Sequence, residues 1–181
     1  NSLLEVYRYE ADCKQINFDK INIYYLVRDV VQELTPLAEE KQLILKSNIE
    51  KDHLNNSESY IIIADRIEIK RVLTNLIGNA IKFTQTGFIE VNFQLDSDIV
   101  QITIKDTGSG IAPEDRAILF ERFRTGKHKN SGSGLGLYLS RRIIEAHKGS
   151  INVESESGSG SKFTISLPKS VDSEQLTVSS E

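Results

Sequence analysis

Arg71, Asn75, Asn79 and Lys82 follow one another at offsets of four, four and three residues, inside a stretch whose apolar residues have helical spacing. Such offsets align the four polar side chains along one face of a helix. Asparagine suits a helix interior poorly, because its amide competes with the backbone for hydrogen bonds. A row with two of them calls for solvent or for a ligand. Asn79 offers a carboxamide oxygen, a hard donor that fits the octahedron of a Mg²⁺ ion already bound to phosphates. Lys82 can neutralise phosphate charge, and Phe83 can pack beside a purine.

Asp106 extends the alternation of Ile102 and Ile104, so its carboxylate faces the apolar side of a strand. A carboxylate there needs a donor. An adenine amino group is one, and a backbone amide of the following turn is another. Gly108 and Gly110 come next, and residues without Cβ let the backbone approach a flat ligand. Gly132-Ser133-Gly134-Leu135-Gly136 stands directly before a helical pattern, where free amides form an anion site suited to phosphates. Taken singly, each feature also has a plain reading: a capping amide, a solvated lysine, a core aromatic, a flexible loop.

Several chemistries are excluded. The glycine cluster at 132–136 has antiparallel-type strands around it, so it is no dinucleotide-binding βαβ unit. Gly126-Lys127 lacks the first glycine of a phosphate loop, because position 121 is Glu121. The signature loops of protein kinases are absent. Net charge is −4 and the longest basic cluster is Lys127-His128-Lys129, which is no footprint for nucleic acid. The single Cys13 rules out an internal disulfide and a cysteine-rich metal site, and suits a reducing, cytoplasmic setting. No apolar run approaches the roughly 18 residues that span a bilayer. The chain opens on Asn1 in a stretch of helical composition, and we expect a fragment whose parent is free to be membrane-anchored or not.

These residues need elements to position them. Residues 3–12 read as the end of an upstream helix, and 16–21 as a short edge strand. Ile23, Leu26, Val27, Val30, Val31, Leu34, Leu37 and Ala38 predict a long amphipathic helix with Pro36 as a kink point. Strands are expected at 43–49 and 60–64. Ile69, Val72, Leu73, Leu76, Ile77, Ala80 and Ile81 form the buried stripe of the helix that carries the asparagines. Beyond Gly87 the period changes to two, over 89–95, 100–104, 151–153 and 163–167, which predicts strands with one covered face and one wet face. A helix is expected at 135–147. With 39% hydrophobic residues the chain can fill one core, and the class is α+β: a mixed, mainly antiparallel sheet with helices on one face. The polar tail, 169–181, lacks a core pattern and is expected to be disordered.

Read in order, the motifs match a known set. Asn75-Leu76-Ile77-Gly78-Asn79-Ala80-Ile81-Lys82-Phe83-Thr84 resembles the N box of histidine kinases, and Asp106-Thr107-Gly108-Ser109-Gly110-Ile111 their G1 box. Phe120-Glu121-Arg122-Phe123 resembles the F box, and 132–137, ending in Leu137, the G2 box. Gly158-Ser159-Gly160-Ser161-Lys162-Phe163 resembles the final glycine box. Five boxes in order and spacing, over 16–168, identify the chain as similar to the ATP-binding catalytic domain of sensor histidine kinases, in the GHKL superfamily.

The resemblance implies a two-layer α/β sandwich of the GHKL type with three helices, and ATP and Mg²⁺ as ligands. It implies that Asp106 binds the adenine amino group and that Asn79 ligates the metal. Asn75 and Lys82 would sit near the phosphates as the catalytic pair, and Phe83 beside the base. Gly108, Gly110 and Ile111 would line the adenine side. Arg122 and Lys127 would contact phosphate, as would the backbone of Gly132, Ser133, Gly134, Leu135, Gly136 and Leu137. Residues 124–133 would be a lid anchored by Phe120 and Phe123.

Transfer of the γ-phosphate to a histidine, then to the receiver domain of a response regulator, is the implied chemistry. His53, His128 and His147 do not lie in an acceptor motif, so the acceptor belongs to a separate dimerisation and phosphoacceptor domain. Residues 1–15 resemble the end of that domain plus a linker, 16–168 the catalytic domain, and the fragment is expected to be monomeric. Related gyrase-like and chaperone-like ATPases place a glutamate base four residues before the metal-binding asparagine. Here that position is Asn75, which disfavours hydrolysis as the main reaction. A degenerate, purely binding module is the other alternative.

Overall fold

The computed structural model describes residues 2–11, 14–48, 60–123 and 134–170. Helix α1 (Ser2–Glu10) leads to strand β1 (Asp19–Asn22), helix α2 (Ile23–Glu40) and strands β2 (Ile44–Ser47) and β3 (Ile61–Ala64). Helix α3 (Arg66–Phe83), strands β4 (Phe88–Leu95) and β5 (Ile99–Asp106), and the short helix α4 (Pro113–Ala117) follow. Helix α5 (Gly136–Ala146) and strands β6 (Ser150–Ser155) and β7 (Ser161–Pro168) complete the fold.

Five strands form the main sheet in the order β2-β4-β5-β7-β6, while β1 and β3 make a separate antiparallel pair. Only β2 runs parallel to its neighbour, β4; the other three pairings are antiparallel. The period-2 pattern explains the layering. Val100, Ile102 and Ile104 are fully buried and register with Leu167, Ile165 and Phe163 of β7, so one apolar face runs across the sheet. Thr103, between Asn92 and Thr164, belongs to the opposite, wetter face.

Helices α2, α3 and α5 cover the apolar face. Asp65 starts α3 by accepting hydrogen bonds from the amides of Ile67 and Glu68, which satisfies two of the free donors at a helix start. From there the stripe from Ile69 to Ile81 is buried on the sheet and on α2. The result is the expected α+β two-layer sandwich.

The differences from the sequence reading are local. The first strand begins at Asp19 rather than at 16, and it pairs with β3 outside the main sheet. Pro36 lies within α2, which continues to Glu40; it removes one amide from the ladder without ending the helix. Helix α4 was not expected. It buries no residue and so leaves no apolar stripe, though Pro113 at its start and Glu114 and Asp115 in its first turn are start signals. The tail is held one residue further than expected: the Lys169 amide donates to the Asp98 carbonyl and its own carbonyl accepts from Ile63. The rest of the expected disordered segment, 171–181, lies outside the described residues.

Polar groups seat α1 on the sandwich. Glu68, 2% exposed, takes Lys14 at 3.0 Å, Arg71 at 3.1 Å and the Tyr9 hydroxyl at 3.1 Å, while Glu5 takes Lys14 and Arg71 from the other side. Burial and the facing Glu68 carboxylate push the Tyr9 hydroxyl far above its ordinary range, so it stays a donor. Arg71, first of the aligned polar row, therefore serves this junction.

Candidate functional site

Helix α3 is the spine of the candidate site, and Gly108 of one glycine cluster and Gly136 of the other close on it. The Ser109 amide donates to the Phe83 carbonyl at 3.3 Å. A Cβ at Gly108 would stand 2.6 Å from the same carbonyl oxygen, so only glycine allows the turn after β5 to lie against the end of α3. At the other cluster, a Cβ on Gly136 would stand 2.5 Å from Asn75 Oδ1. Asn75 also donates through Nδ2 to Ser140 Oγ of α5 at 3.0 Å. Asn75 thus joins α3 to the start of α5. Ser140 is a partner that sequence could not supply.

Asn79 is half-buried, and no described residue engages its carboxamide. Lys82 places Nζ 5.2 Å from the centre of the Phe83 ring. All three follow from the helical register of α3.

Asp106 ends β5 and is 6% exposed. Both of its hydrogen bonds fall on one oxygen: Oδ1 accepts from the Gly108 amide at 2.8 Å and the Ser161 amide at 3.2 Å. No described residue donates to Oδ2. Burial pushes the carboxyl up from the ordinary aspartate range, and the two amides hold against that. The turn amide foreseen as the plain partner of Asp106 is therefore present, with a second oxygen left over. Gly110 has φ +66°, and a Cβ there would collide with the Glu156 carbonyl. Ile111 packs on the core and donates its amide to Ser155 Oγ at 2.8 Å.

Helix α5 begins without a side-chain cap. Gly134 just before it has φ +68°, Leu135 is buried, and Leu137 is packed on the core. Uncapped amides at a helix start leave a partial positive charge that attracts anions. Lys127, Gly132 and Ser133, with the rest of 124–133, lie outside the described residues.

The F box divides. Phe120 packs on the core edge-on to Phe163, with ring centres 6.5 Å apart. Phe123 does not pack with it: the side chain is 55% exposed and the backbone has φ +57°. Arg122 is held by Glu10 at 2.6 and 2.7 Å, rather than pointing free toward a phosphate region.

Residues 64–171, which run from the last residue of β3 through α3 to the end of β7, match the family model described as histidine kinase-, DNA gyrase B- and HSP90-like ATPase. The chain belongs to this family. Within the family it is similar to sensor histidine kinases: it is 37% identical over 183 residues to sensor histidine kinase GacS of Pseudomonas protegens, covering 95% of this chain and 19% of that protein. It is 34% identical over 177 residues to sensor histidine kinase RcsC of Escherichia coli, covering 92% of this chain and 18% of that protein. The chain thus spans about a fifth of the length of these curated relatives.

Solved structures give the same picture. Full-length ShkA in complex with AMPPNP superposes with a TM-score of 0.80 at 30% identity, covering 93% of this chain and 34% of that one. The catalytic domain of histidine kinase ThkA, in a nucleotide-free form, gives 0.71 at 28% identity over 86% of this chain and 99% of that one. The fold is therefore the ATP-binding sandwich of the histidine kinase-like family. Among the described residues no helix is long and apolar enough to cross a membrane.

Proposed function

We propose that this chain is the ATP-binding catalytic domain of a cytoplasmic sensor histidine kinase module, residues 16–168, with 1–15 the end of the upstream helix and its linker. It transfers the γ-phosphate of ATP to a histidine of a separate dimerisation and phosphoacceptor domain, for relay to a response regulator receiver domain. The observation that carries the reading is the asymmetric engagement of Asp106: Oδ1 is fixed by two backbone amides, and Oδ2 is left for the adenine amino group. Resemblance to a kinase structure holding an ATP analogue supports the same ligand.

The roles are those that the resemblance implies, and the positions described above support them. Gly108 and Gly110 let the base lie against the turn, with Phe83 beside it. Asn79 is the residue that would hold Mg²⁺, and its unengaged carboxamide fits one hard ligand position. When bound, the ion neutralises charge on the phosphates. Lys82 adds a positive charge next to it, and the uncapped start of α5 receives phosphate oxygens. Lys127, Gly132 and Ser133 would close over the phosphates from the lid. The reaction forms a P–N bond to the acceptor imidazole as the bond to ADP breaks, so rate comes from positioning and charge neutralisation.

Hydrolysis is the weaker alternative. Asn75 stands where a general base would be needed, and its amide already donates to Ser140. An amide cannot take a proton from water.

Incubation with γ-labelled ATP tests the proposal. The chain alone acquires no acid-labile label, because no acceptor is held in line with the γ-phosphate. An added phosphoacceptor domain of a related kinase becomes labelled. Acid-labile label on the chain itself, lost on mutating His53, His128 or His147, would contradict this.

A further inference from the structure

Every backbone carbonyl at the end of α3 has an identified partner. Ala80 accepts from the Thr84 amide at 3.1 Å and the Thr84 hydroxyl at 2.7 Å, and Phe83 accepts from the Ser109 amide. The other three go to one side chain. Lys41 Nζ donates to the carbonyls of Ile81 at 2.6 Å, Lys82 at 3.1 Å and Thr84 at 2.8 Å. An ammonium has three protons, so this set uses all of them.

Lys41 is the residue at which α2 ends, and its own amide closes that helix on Ala38 and Glu39. Its half-buried side chain crosses to α3 and places a full positive charge at the negative end of the helix. The turn it caps carries Lys82 and Phe83, and Asn79 lies one turn earlier. The turn after β5, with Gly108 against the Phe83 carbonyl, closes the other side. The last turn of α3 is thereby fixed between two supports, one from α2 and one from the strand that ends in Asp106.

We propose that Lys41 is a positioning residue of the nucleotide site: it fixes the end of α3 so that Asn79, Lys82 and Phe83 meet a ligand seated on Asp106. It rests on the nucleotide reading given above. Lys41 touches none of the reacting groups and acts through the helix end. Removing the ammonium while keeping the stem leaves three carbonyls without their donor, and the turn that bears Lys82 and Phe83 loses its anchor to α2. An arginine at this position keeps the charge and the donors.

The test uses the full chain with Lys41→Met, Lys41→Gln and Lys41→Arg, at a temperature where each is fully folded. Two quantities are read: amide hydrogen exchange at Thr84 and Ser109, and affinity for a non-hydrolysable ATP analogue with Mg²⁺. Lys41→Met should speed exchange at both amides and weaken binding about tenfold, as expected for loss of charge-assisted contacts. Lys41→Arg should restore binding to within about threefold of the parent, and Lys41→Gln should fall between. Unchanged affinity in Lys41→Met, with only a lower melting temperature, would overturn the proposal and leave Lys41 a stabilising cap. If the unmodified chain binds no nucleotide, the functional reading fails. The exchange arm then still decides whether Lys41 holds the end of α3.

Discussion

Nη1 of Arg122 lies 2.6 and 2.7 Å from the two carboxylate oxygens of Glu10, a residue at the far end of the sequence. Tyr138 of α5 donates to the same carboxylate at 2.9 Å. The Tyr138 hydroxyl first, and then the Arg122 guanidinium, hold the Glu10 carboxyl below the ordinary glutamate range. The end of α1 is thus tied to the F box and to the helix that opens at the G2 box.

Arg122 cannot give its charge in full to Glu10 and to a phosphate at once. Glu10→Gln should therefore tighten binding of an ATP analogue about two- to fivefold at low ionic strength, with the gain shrinking as salt screens the exposed charges. Titration calorimetry at two salt concentrations checks this. Equal affinities for parent and variant at low salt would show that Arg122 takes no part in phosphate binding.

Gly136→Ala separates two opposing effects. Helix propensity alone favours alanine by about 1 kcal/mol. The new Cβ, however, meets Asn75 Oδ1 at 2.5 Å, so Asn75 must turn and give up Ser140. We expect a net loss of about 1–2 kcal/mol in urea unfolding, since a buried hydroxyl loses its partner. In an Asn75→Ala background the same substitution should become neutral or stabilising. A gain in stability in the parent background would mean that the α3–α5 contact is loose.

The long periodic segments were legible in the sequence: α2, α3, β4, β5 and β7 each repeat one period across several residues, and only one face of each can be buried. Asp106 and the glycines of the two clusters were legible because residue type betrays them, a carboxylate on an apolar face or a missing Cβ before a helix. What stayed hidden depends on contacts between distant residues. Nothing near Asn75 announces Ser140, nothing near Arg122 announces Glu10, and Lys41 reads as one more surface lysine at the end of a helix. The exposure of Phe123 was hidden for a related reason, since an F box names its aromatics without showing which one faces solvent.

His147 gives a pH prediction. Its Nε2 accepts from the Asp65 amide at 2.9 Å, and its Nδ1 donates to the Ile143 carbonyl at 2.7 Å, which fixes a neutral ring. Burial pulls its pKa below the ordinary histidine value, although the Ile143 carbonyl and the carboxylates of Asp65 and Glu68 pull upward. In the window between the lowered folded value and about 6.5, the unfolded chain binds more protons than the folded one. Stability from this residue is therefore complete above about pH 6.5 and declines as the pH falls through that window. His147→Leu should cost about 1–3 kcal/mol at pH 7.5 through the orphaned Asp65 amide, and the gap to the parent should narrow at pH 5.5. Urea titrations at both values decide it, and a gap that stays constant would remove His147 as the titrating group.

The most direct measurement for the nucleotide assignment is Asp106→Asn, because the two oxygens of Asp106 do different work. Asparagine keeps Oδ1 for the Gly108 and Ser161 amides and puts an NH₂ where Oδ2 stood. The fold should hold, while a donor now faces the adenine amino group. Calorimetry with an ATP analogue and Mg²⁺ should show affinity reduced by roughly 1.5–3 kcal/mol, with the melting temperature nearly unchanged. Parent-like affinity in Asp106→Asn would contradict the account, because the base would then be held elsewhere.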